Sequence, residues 1–599
     1  MLTALNYPFD AKLIMRKKKA LRRELLADEG ANAARTTKKI AILGGSTTEN
    51  VKQVAELFLL NNGIAAEWYE SEYDQWYEDA LFGNPELDAF APDVVFIQTG
   101  TYNLRQWPKM SDSAAEVEAK LDAEHARFEQ AWMALAGRLA CPIIQANFEP
   151  PYFRLLGNLD AVDYRGRVGF VNRLNQRFCD YAAAHQDFYL LDVAWVAADF
   201  GLSAYQDRAQ YHQFKYPCAQ EAIPHLAYQL ANLIKALFGK NKKGFALDLD
   251  NTLWGGVVGD DGPENLVIGE GTGDGEAFYD WQEYLKLYQD IGIILTVASK
   301  NEEANALAGL NHPECALHPA DFVNIHANWE PKSANVKAIA AELSLGADAF
   351  VFVDDNPAER EIVRQQVEGI AVPEVSTPDR YVHDVDRGGW FETVSLSTDD
   401  AGRVEMYKEN AERKKLETSF SDYHDYLLSL DMDAGILPFD AVSVPRITAL
   451  VNKSNQFNLT TRRYTQPEIE AAMADPNQIT IYGRLRDKFG DNGLISVVVG
   501  EIAKNDPKRL DIVLWLMSCR VLKRDMEFAM MDELTRLAQE RGIERIYGHY
   551  YPTKKNAMVK DFYAAQHFQK LSEDEKGNSE WLLDLRTGYK EQQDVIKVN

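Results

Sequence analysis

Phe245-Ala-Leu-Asp-Leu-Asp-Asn-Thr252 is a short apolar run that ends in two carboxylates, Asp248 and Asp250. A second run, Ala349-Phe-Val-Phe-Val353, ends the same way in Asp354 and Asp355. Between them a strand is expected over Ile291 to Ala298, ending at Ser299, and Lys332 opens a helical pattern that reaches Leu343. Another helix, with Phe278, Trp281, Leu285 and Tyr288 on one face, follows a glycine-rich excursion at 255–275. Apolar runs alternating with amphipathic helices predict a parallel sheet flanked by helices, whose ligands bind beyond the carboxyl ends of the strands. Each acidic pair alone reads as a turn or a helix cap. Two pairs, with a Ser and a Lys at corresponding ends, point instead to a site. Four converging carboxylates repel one another and hold protons unless a hard cation sits among them, and magnesium is the expected ion.

Working outward, Gly239-Lys-Asn-Lys-Lys-Gly244 is a polar linker. Ahead of it, strand-like runs at Ile40 to Leu43, Val94 to Gln98, Ile143 to Asn147 and Phe188 to Leu191 alternate with helical stretches such as Val51 to Leu60 and Ala114 to Leu139. That makes residues 1–240 a second α/β domain, ahead of the central one at 241–385. Past 385 the pattern changes. A helical run over Asp400 to Leu430 precedes closely spaced strands at Ile479 to Leu485, Leu494 to Val499 and Arg509 to Trp515, then a helix over Arg520 to Glu540. Residues 386–599 therefore read as a helical linker followed by an α+β domain.

The 599 residues are too many for one hydrophobic core, and 46% hydrophobic with 26% charged residues is an ordinary globular balance. No run approaches the roughly 18 consecutive apolar residues of a membrane span, and the start shows no signal-peptide pattern, so the expected location is cytoplasmic. Five cysteines without metal-site spacing are expected to be free thiols. A net charge of −27 opposes binding to nucleic acid or to an anionic membrane, and neither is expected as a partner. It also repels phosphorylated ligands, so a phosphate site needs a cation, specific Lys or Arg residues, or helix-start N–H groups. The basic stretch Arg16 to Arg23 is interleaved with Ile14, Leu21 and Leu25 at helical spacing and reads as a solvated helix face.

Asp248-Leu-Asp250-Asn-Thr252, Ser299, Lys332 and Asp354-Asp355, in this order, resemble the motifs of the haloacid dehalogenase superfamily. The resemblance implies that Asp248 is a nucleophile forming an aspartyl phosphate and that Asp250 is the general acid and base. It also implies that Thr252, Ser299, Lys300, Asn301 and Lys332 contact the substrate, and that magnesium is held by Asp248, the Asp250 carbonyl, Asp354 and Asp355. The segments between these motifs are too short for a large cap domain, so a capless, Rossmann-like site is expected. In the first domain, Gly44-Gly-Ser46-Thr and Gly100-Thr-Tyr-Asn103 resemble a degenerate SGNH hydrolase of flavodoxin-type α/β fold. Gly45 stands where that family has Asp, and Asp207 and His212 do not form its D-x-x-H pattern. The last domain resembles the GNAT acyltransferases, with Lys523 and Asp525 where glycines are expected, and Cys519, placed at a helix start beside Arg520, is the candidate thiolate nucleophile.

The three parts together, with Trp254-Gly-Gly-Val-Val-Gly-Asp-Asp-Gly262, Ser299-Lys-Asn301, Asn455-Gln-Phe-Asn-Leu-Thr-Thr461 and Ser518-Cys-Arg-Val-Leu522, resemble the FkbH-like proteins. That resemblance implies loading of a glyceryl-type acyl unit from a phosphorylated three-carbon metabolite, 1,3-bisphosphoglycerate, onto an acyl carrier protein. A plain phosphatase of phosphomonoesters and a non-catalytic assembly protein are the alternatives.

Overall fold

A computed structural model describes residues 2–396, 402–417, 419–453, 457–518, 521–553 and 556–599. The chain forms two compact units, one of residues 1–241 with 386–394, the other of 242–385 with 395–599. It is a mixed α/β molecule with two parallel sheets and a third, largely antiparallel one.

The first unit is built on β1 (Thr36–Gly44), β2 (Ile64–Glu70), β3 (Val94–Gln98), β4 (Ile143–Ala146) and β5 (Phe188–Leu191). All pair in parallel, in the order β2-β1-β3-β4-β5. Ile40 to Leu43 and Val94 to Ile97 are fully buried, as expected of strands covered on both faces. β2 escaped the sequence reading because it is an edge strand, mostly half-exposed and rich in Ala and Glu. The helix Ala114–Arg138 starts in a capping box between Ser113 and Glu116. In the helix Ala11–Ala27, Ile14, Leu21 and Leu25 are buried while most of the Lys and Arg residues of the basic stretch face outward.

In the second unit, β6 (Gly244–Leu247), β7 (Ile294–Ser299), β8 (Asn324–Ala327) and β9 (Phe350–Val353) form a parallel sheet in the order β8-β7-β6-β9. The strand expected from Ile291 starts at Ile294, because Ile291 caps the preceding helix and Gly292 turns at φ +82°. Chain order reverses across β6, with β7 on one side and β9 on the other. A crevice opens at such a reversal, beyond the strands' carboxyl ends. The helix Gly273–Asp290 buries Phe278, Trp281 and Leu285.

The remaining strands are β10 (Met432–Pro438), β11 (Phe457–Asn458), β12 (Gln478–Asp487), β13 (Gly490–Ile502), β14 (Arg509–Met517), β15 (Arg545–Tyr550), β16 (Gln569–Glu573), β17 (Ser579–Asp584) and β18 (Ile596–Val598). They make one sheet in the order β16-β17-β15-β14-β13-β12-β10-β18, with β11 added to β14. Two expectations are corrected here. The run at 400–430 is two helices, Arg403–Glu417 and Tyr423–Ser429, the second capped by Asp422. The helix expected from Arg520 starts at Met526, after Asp525 in the left-handed conformation. That start removes the helix-dipole argument for a Cys519 thiolate, since the dipole acts within the first turn. Cys519 and Arg520 themselves lie outside the described residues.

Candidate active site

Asp248 follows β6 directly, and its backbone N–H still bonds the Val353 carbonyl of β9. Three residues on, Asn251 adopts φ +56°, a conformation Asn tolerates better than most residues, and the chain turns sharply. The turn leaves Asp248, Asp250 and Thr252 at the end of one strand, beside Asp354 and Asp355 at the end of the next. Thr252 ties the two ends together: its hydroxyl accepts the Asp355 N–H at 3.1 Å and lies 3.5 Å from an Asp355 carboxylate oxygen. Behind them, the Arg360 guanidinium donates to the carbonyls of both Asp354 and Asp355 at 2.8 Å.

Lys332 is the cation of the cluster. It opens the helix Lys332–Glu342, and its buried ammonium lies 2.8 Å from Asp248 Oδ2 and 2.6 Å from Asp354 Oδ2. Burial alone would lower its pKa, but Asp248 and Asp354 raise it, so the ammonium stays charged. Asp354, fully buried, is pushed up to about 6 by burial and by the charge of Asp248, against the pull of Lys332. Burial and then Asp248 also raise Asp355. One ammonium cannot neutralise this many carboxylates, and the site remains short of positive charge.

Oxygens of Asp248, Asp354 and Asp355 lie within 4.8 Å of one another. Three hard carboxylate donors with unbalanced negative charge fit a magnesium ion. The Asp250 carboxylate stands outside this group. Its Oδ1 accepts from Trp254 Nε1 at 3.0 Å and from the Val258 N–H at 3.1 Å, and its Oδ2 accepts from Asn301 Nδ2 at 3.0 Å. Burial raises its pKa, although the Val258 N–H and the Trp254 indole oppose the rise. Trp254 is fully buried against Gly309, where an added Cβ would stand 2.7 Å from the indole.

Of the sequence candidates, Ser299 is buried at the end of β7, next to β6, and Asn301 holds Asp250. Lys300 is more exposed and pairs with Glu359 at 2.6 Å. Arg360 was not picked out, and Trp254 and Val258 entered only as part of the Trp254–Gly262 motif, without a role, since the contacts they make with Asp250 follow from the fold. The excursion at 255–275 forms two short helical turns, Val258–Asp261 and Pro263–Asn265, closed by an antiparallel bridge between Gly255 and Val267, before the next helix.

The first unit has a parallel arrangement at β1 and β3. Ser46 follows β1, and its hydroxyl donates to Gln98 Oε1 at the end of β3. Asn103 donates to the Gly45 carbonyl at 2.8 Å. Asp207 caps the helix Arg208–Phe214, and no hydrogen bond joins a histidine to Ser46 among the described residues.

Residues 39–235 match the family model of the FkbH N-terminal domain. Among solved structures, the chain is similar to the N-terminal part of the protein BF1531 from Bacteroides fragilis, which contains a phosphatase domain and was crystallised with Mg. The identity is 28%, over 64% of this chain and 99% of that one, with a TM-score of 0.58. Weaker likenesses, covering 25% of this chain each, are to the GNAT domain of S. lividans PAT (16% identity, 89% of that chain, TM-score 0.21) and to the ribosomal-protein-S18-alanine N-acetyltransferase of Escherichia coli (9%, 93%, 0.20). No curated protein matches the sequence. The match at residues 39–235 and the likeness to the Bacteroides phosphatase protein together support an FkbH-like protein whose central parallel sheet is of the haloacid dehalogenase type.

Proposed function

We propose that the carboxylate cluster transfers a phosphoryl group through Asp248, and that this step serves the loading of a glyceryl-type acyl unit from 1,3-bisphosphoglycerate onto an acyl carrier protein. The observation that carries the phosphoryl step is the division of labour between two neighbouring acids. Asp248 faces Lys332 and the metal-competent group, while Asp250 is held apart by three donors. Asp248 attacks phosphorus, and Asp250 gives its proton to the leaving oxygen. Asp250 then takes a proton from the water that opens the aspartyl phosphate. Lys332 and Ser299 hold the phosphoryl oxygens. Magnesium, held by Asp248, Asp354, Asp355 and the Asp250 carbonyl, would offset the negative charge of the phosphoryl group.

Attack of Asp248 on an acyl phosphate would discard the activated carboxyl group. The acyl carbon must therefore go to a thiol while Asp248 removes the phosphomonoester. The test is to incubate the full chain with magnesium, 1,3-bisphosphoglycerate and candidate carrier proteins, then measure released phosphate and intact carrier mass. A carrier gaining one glyceryl unit supports the whole reading, and chelation should stop the removal of its phosphate. Phosphate release without a mass gain leaves a plain phosphatase. Neither signal leaves a non-catalytic assembly protein.

A further inference from the structure

A groove of about 590 Å³ lies on the C-terminal sheet, lined in part by Thr460, Arg462, Glu501, Asp511, His549 and Tyr551. Strand geometry accounts for it. β14 and β15 pair in parallel only from Arg509–Ile512 against Arg545–Gly548. Beyond that point the segment at 457–460 takes up their free edges: Leu459 N–H donates to the Trp515 carbonyl at 3.0 Å, and Tyr551 N–H to the Leu459 carbonyl at 2.9 Å. The Thr460 hydroxyl donates to the Val513 carbonyl at 2.9 Å. Thr461, next in the chain and on the groove wall, is β-branched yet sits at φ +56°, held there by its N–H bond to Asn458 Oδ1 at 2.8 Å. Backbone strain of this kind concentrates at functional sites.

Within the groove His549 Nε2 lies 2.9 Å from Asp511 Oδ1. An ionised carboxylate only accepts, so Nε2 carries the proton and Nδ1 of the neutral ring presents a lone pair. Asp511 is fixed by two bonds from Arg509, at 2.8 and 2.6 Å, and Arg509 also meets Glu580 at 3.4 Å. The hydrogen bond from His549 and the bonds from Arg509 hold the Asp511 pKa below its ordinary value, although burial opposes them. A neutral imidazole takes a proton most readily from an acid whose pKa lies close to its own, which favours a thiol over a lysine-type ammonium ion or a hydroxyl. A thiol, with an ordinary pKa about 2 units above that of imidazole, is the uncharged acceptor that such a base ionises most readily.

We propose that this groove receives the acceptor thiol of the acyl transfer, and that His549 takes the thiol proton while Asp511 orients the ring. The proposal rests on the acyl-transfer reading above and adds the place and the base. In balanced form, the thiol sulfur bonds to the acyl carbon of an acyl phosphate and the bond from that carbon to the phosphate oxygen breaks. The electron pair of that bond leaves with phosphate, which collects the proton from His549. His549 is the catalytic residue here, and Asp511 is a positioning residue.

The experiment uses the full chain with magnesium, 1,3-bisphosphoglycerate and pantetheine as the thiol probe. At pH 7, His549→Gln should lower thioester formation at least about 50-fold, and Asp511→Asn about 10-fold. Raising the pH to 9, where the thiol ionises unaided, should restore most of the loss in His549→Gln. Phosphate release from a simple phosphomonoester should be unchanged in both variants, which also reports that they fold. In parallel, carbethoxylation of His549 in the wild type, mapped by mass spectrometry, should be blocked by pantetheine. Wild-type thioester yield from His549→Gln, or a His549 that pantetheine does not protect, overturns the proposal. A protected His549 with no thioester from the wild type instead overturns the acyl-transfer reading and keeps the groove as a thiol site.

Discussion

Two strand ends in this chain occupy the same kind of place. Ser46 follows β1 and Asp248 follows β6, each at the reversal point of a parallel sheet, where α/β folds place their ligands. Around Asp248 converge an ammonium, three further carboxylates and a set of donors that sort them. Around Ser46 the hydroxyl is spent on Gln98, and the Asn103 amide is shared between the Gly45 carbonyl and the Asp74 carboxylate. Position in the fold offers a site, but only convergent titratable groups make one chemically competent.

The comparison breaks first at Asp248. Asp248→Asn keeps the side-chain shape but makes a far poorer nucleophile, and phosphate release should fall at least about 10³-fold. Near-normal release from that variant with magnesium present would remove Asp248 from the mechanism. Lys332→Met should act next most strongly. Removing one partner of a buried ion pair costs about 3–5 kcal/mol, because Asp248 and Asp354 are left uncompensated. Magnesium should then raise the melting temperature of the variant more than that of the wild type, since it supplies the charge that Lys332 no longer does. Equal magnesium shifts in the two proteins would show that the ion does not share this cluster with Lys332.

The first unit has its own buried acid, and it sharpens the contrast. Glu149 is fully enclosed, bonded to the Thr101 N–H and hydroxyl and to Gln206, and burial pushes it up to about 7. A carboxyl whose folded pKa is raised makes the folded state hold the proton more tightly. Stability is therefore lost as pH climbs from about 4.5 through about 7. Glu149→Gln, which cannot ionise, should match the wild type near pH 4 and exceed it by about 3 kcal/mol at pH 8. Thermal unfolding at the two pH values measures this, and a difference that does not grow with pH would contradict it.

Much of the central site was legible because its residues end consecutive apolar runs, and a parallel sheet brings such ends together. Asp248, Ser299 and Asp354 could be placed in this way. The order of the sheets followed less well. β2 and β8 are edge strands of mixed polarity, which carry neither a continuous apolar run nor clean alternation. The supporting contacts were not legible at all. Thr252 meets Asp355 across 103 positions, and Asn301 meets Asp250 across 51. His549 and Asp511 lie on strands that pair in parallel, 38 positions apart, and neither residue stands in a recognisable motif. The start of the helix Met526–Glu540 was misplaced because Arg520 to Asp525 has helical composition, while Lys523 and Asp525 both adopt positive φ.

The smallest effect is expected at Ser46. Its hydroxyl is buried and donates to Gln98, so Ser46→Ala leaves a buried amide oxygen without its donor, at about 1–2 kcal/mol. The same variant should leave turnover of a p-nitrophenyl ester at the wild-type level, because no imidazole among the described residues is hydrogen-bonded to the hydroxyl to activate it. The two measurements separate two meanings of a serine at a strand end. A structural serine changes stability and not turnover, whereas a nucleophile changes turnover and, once removed, often relaxes its surroundings. Robust ester hydrolysis by the wild type that disappears in Ser46→Ala would place a second active centre in the first unit. It would also mean that the Gln98 bond opens in the working enzyme, and the contrast between the two strand ends would then be one of state rather than of kind.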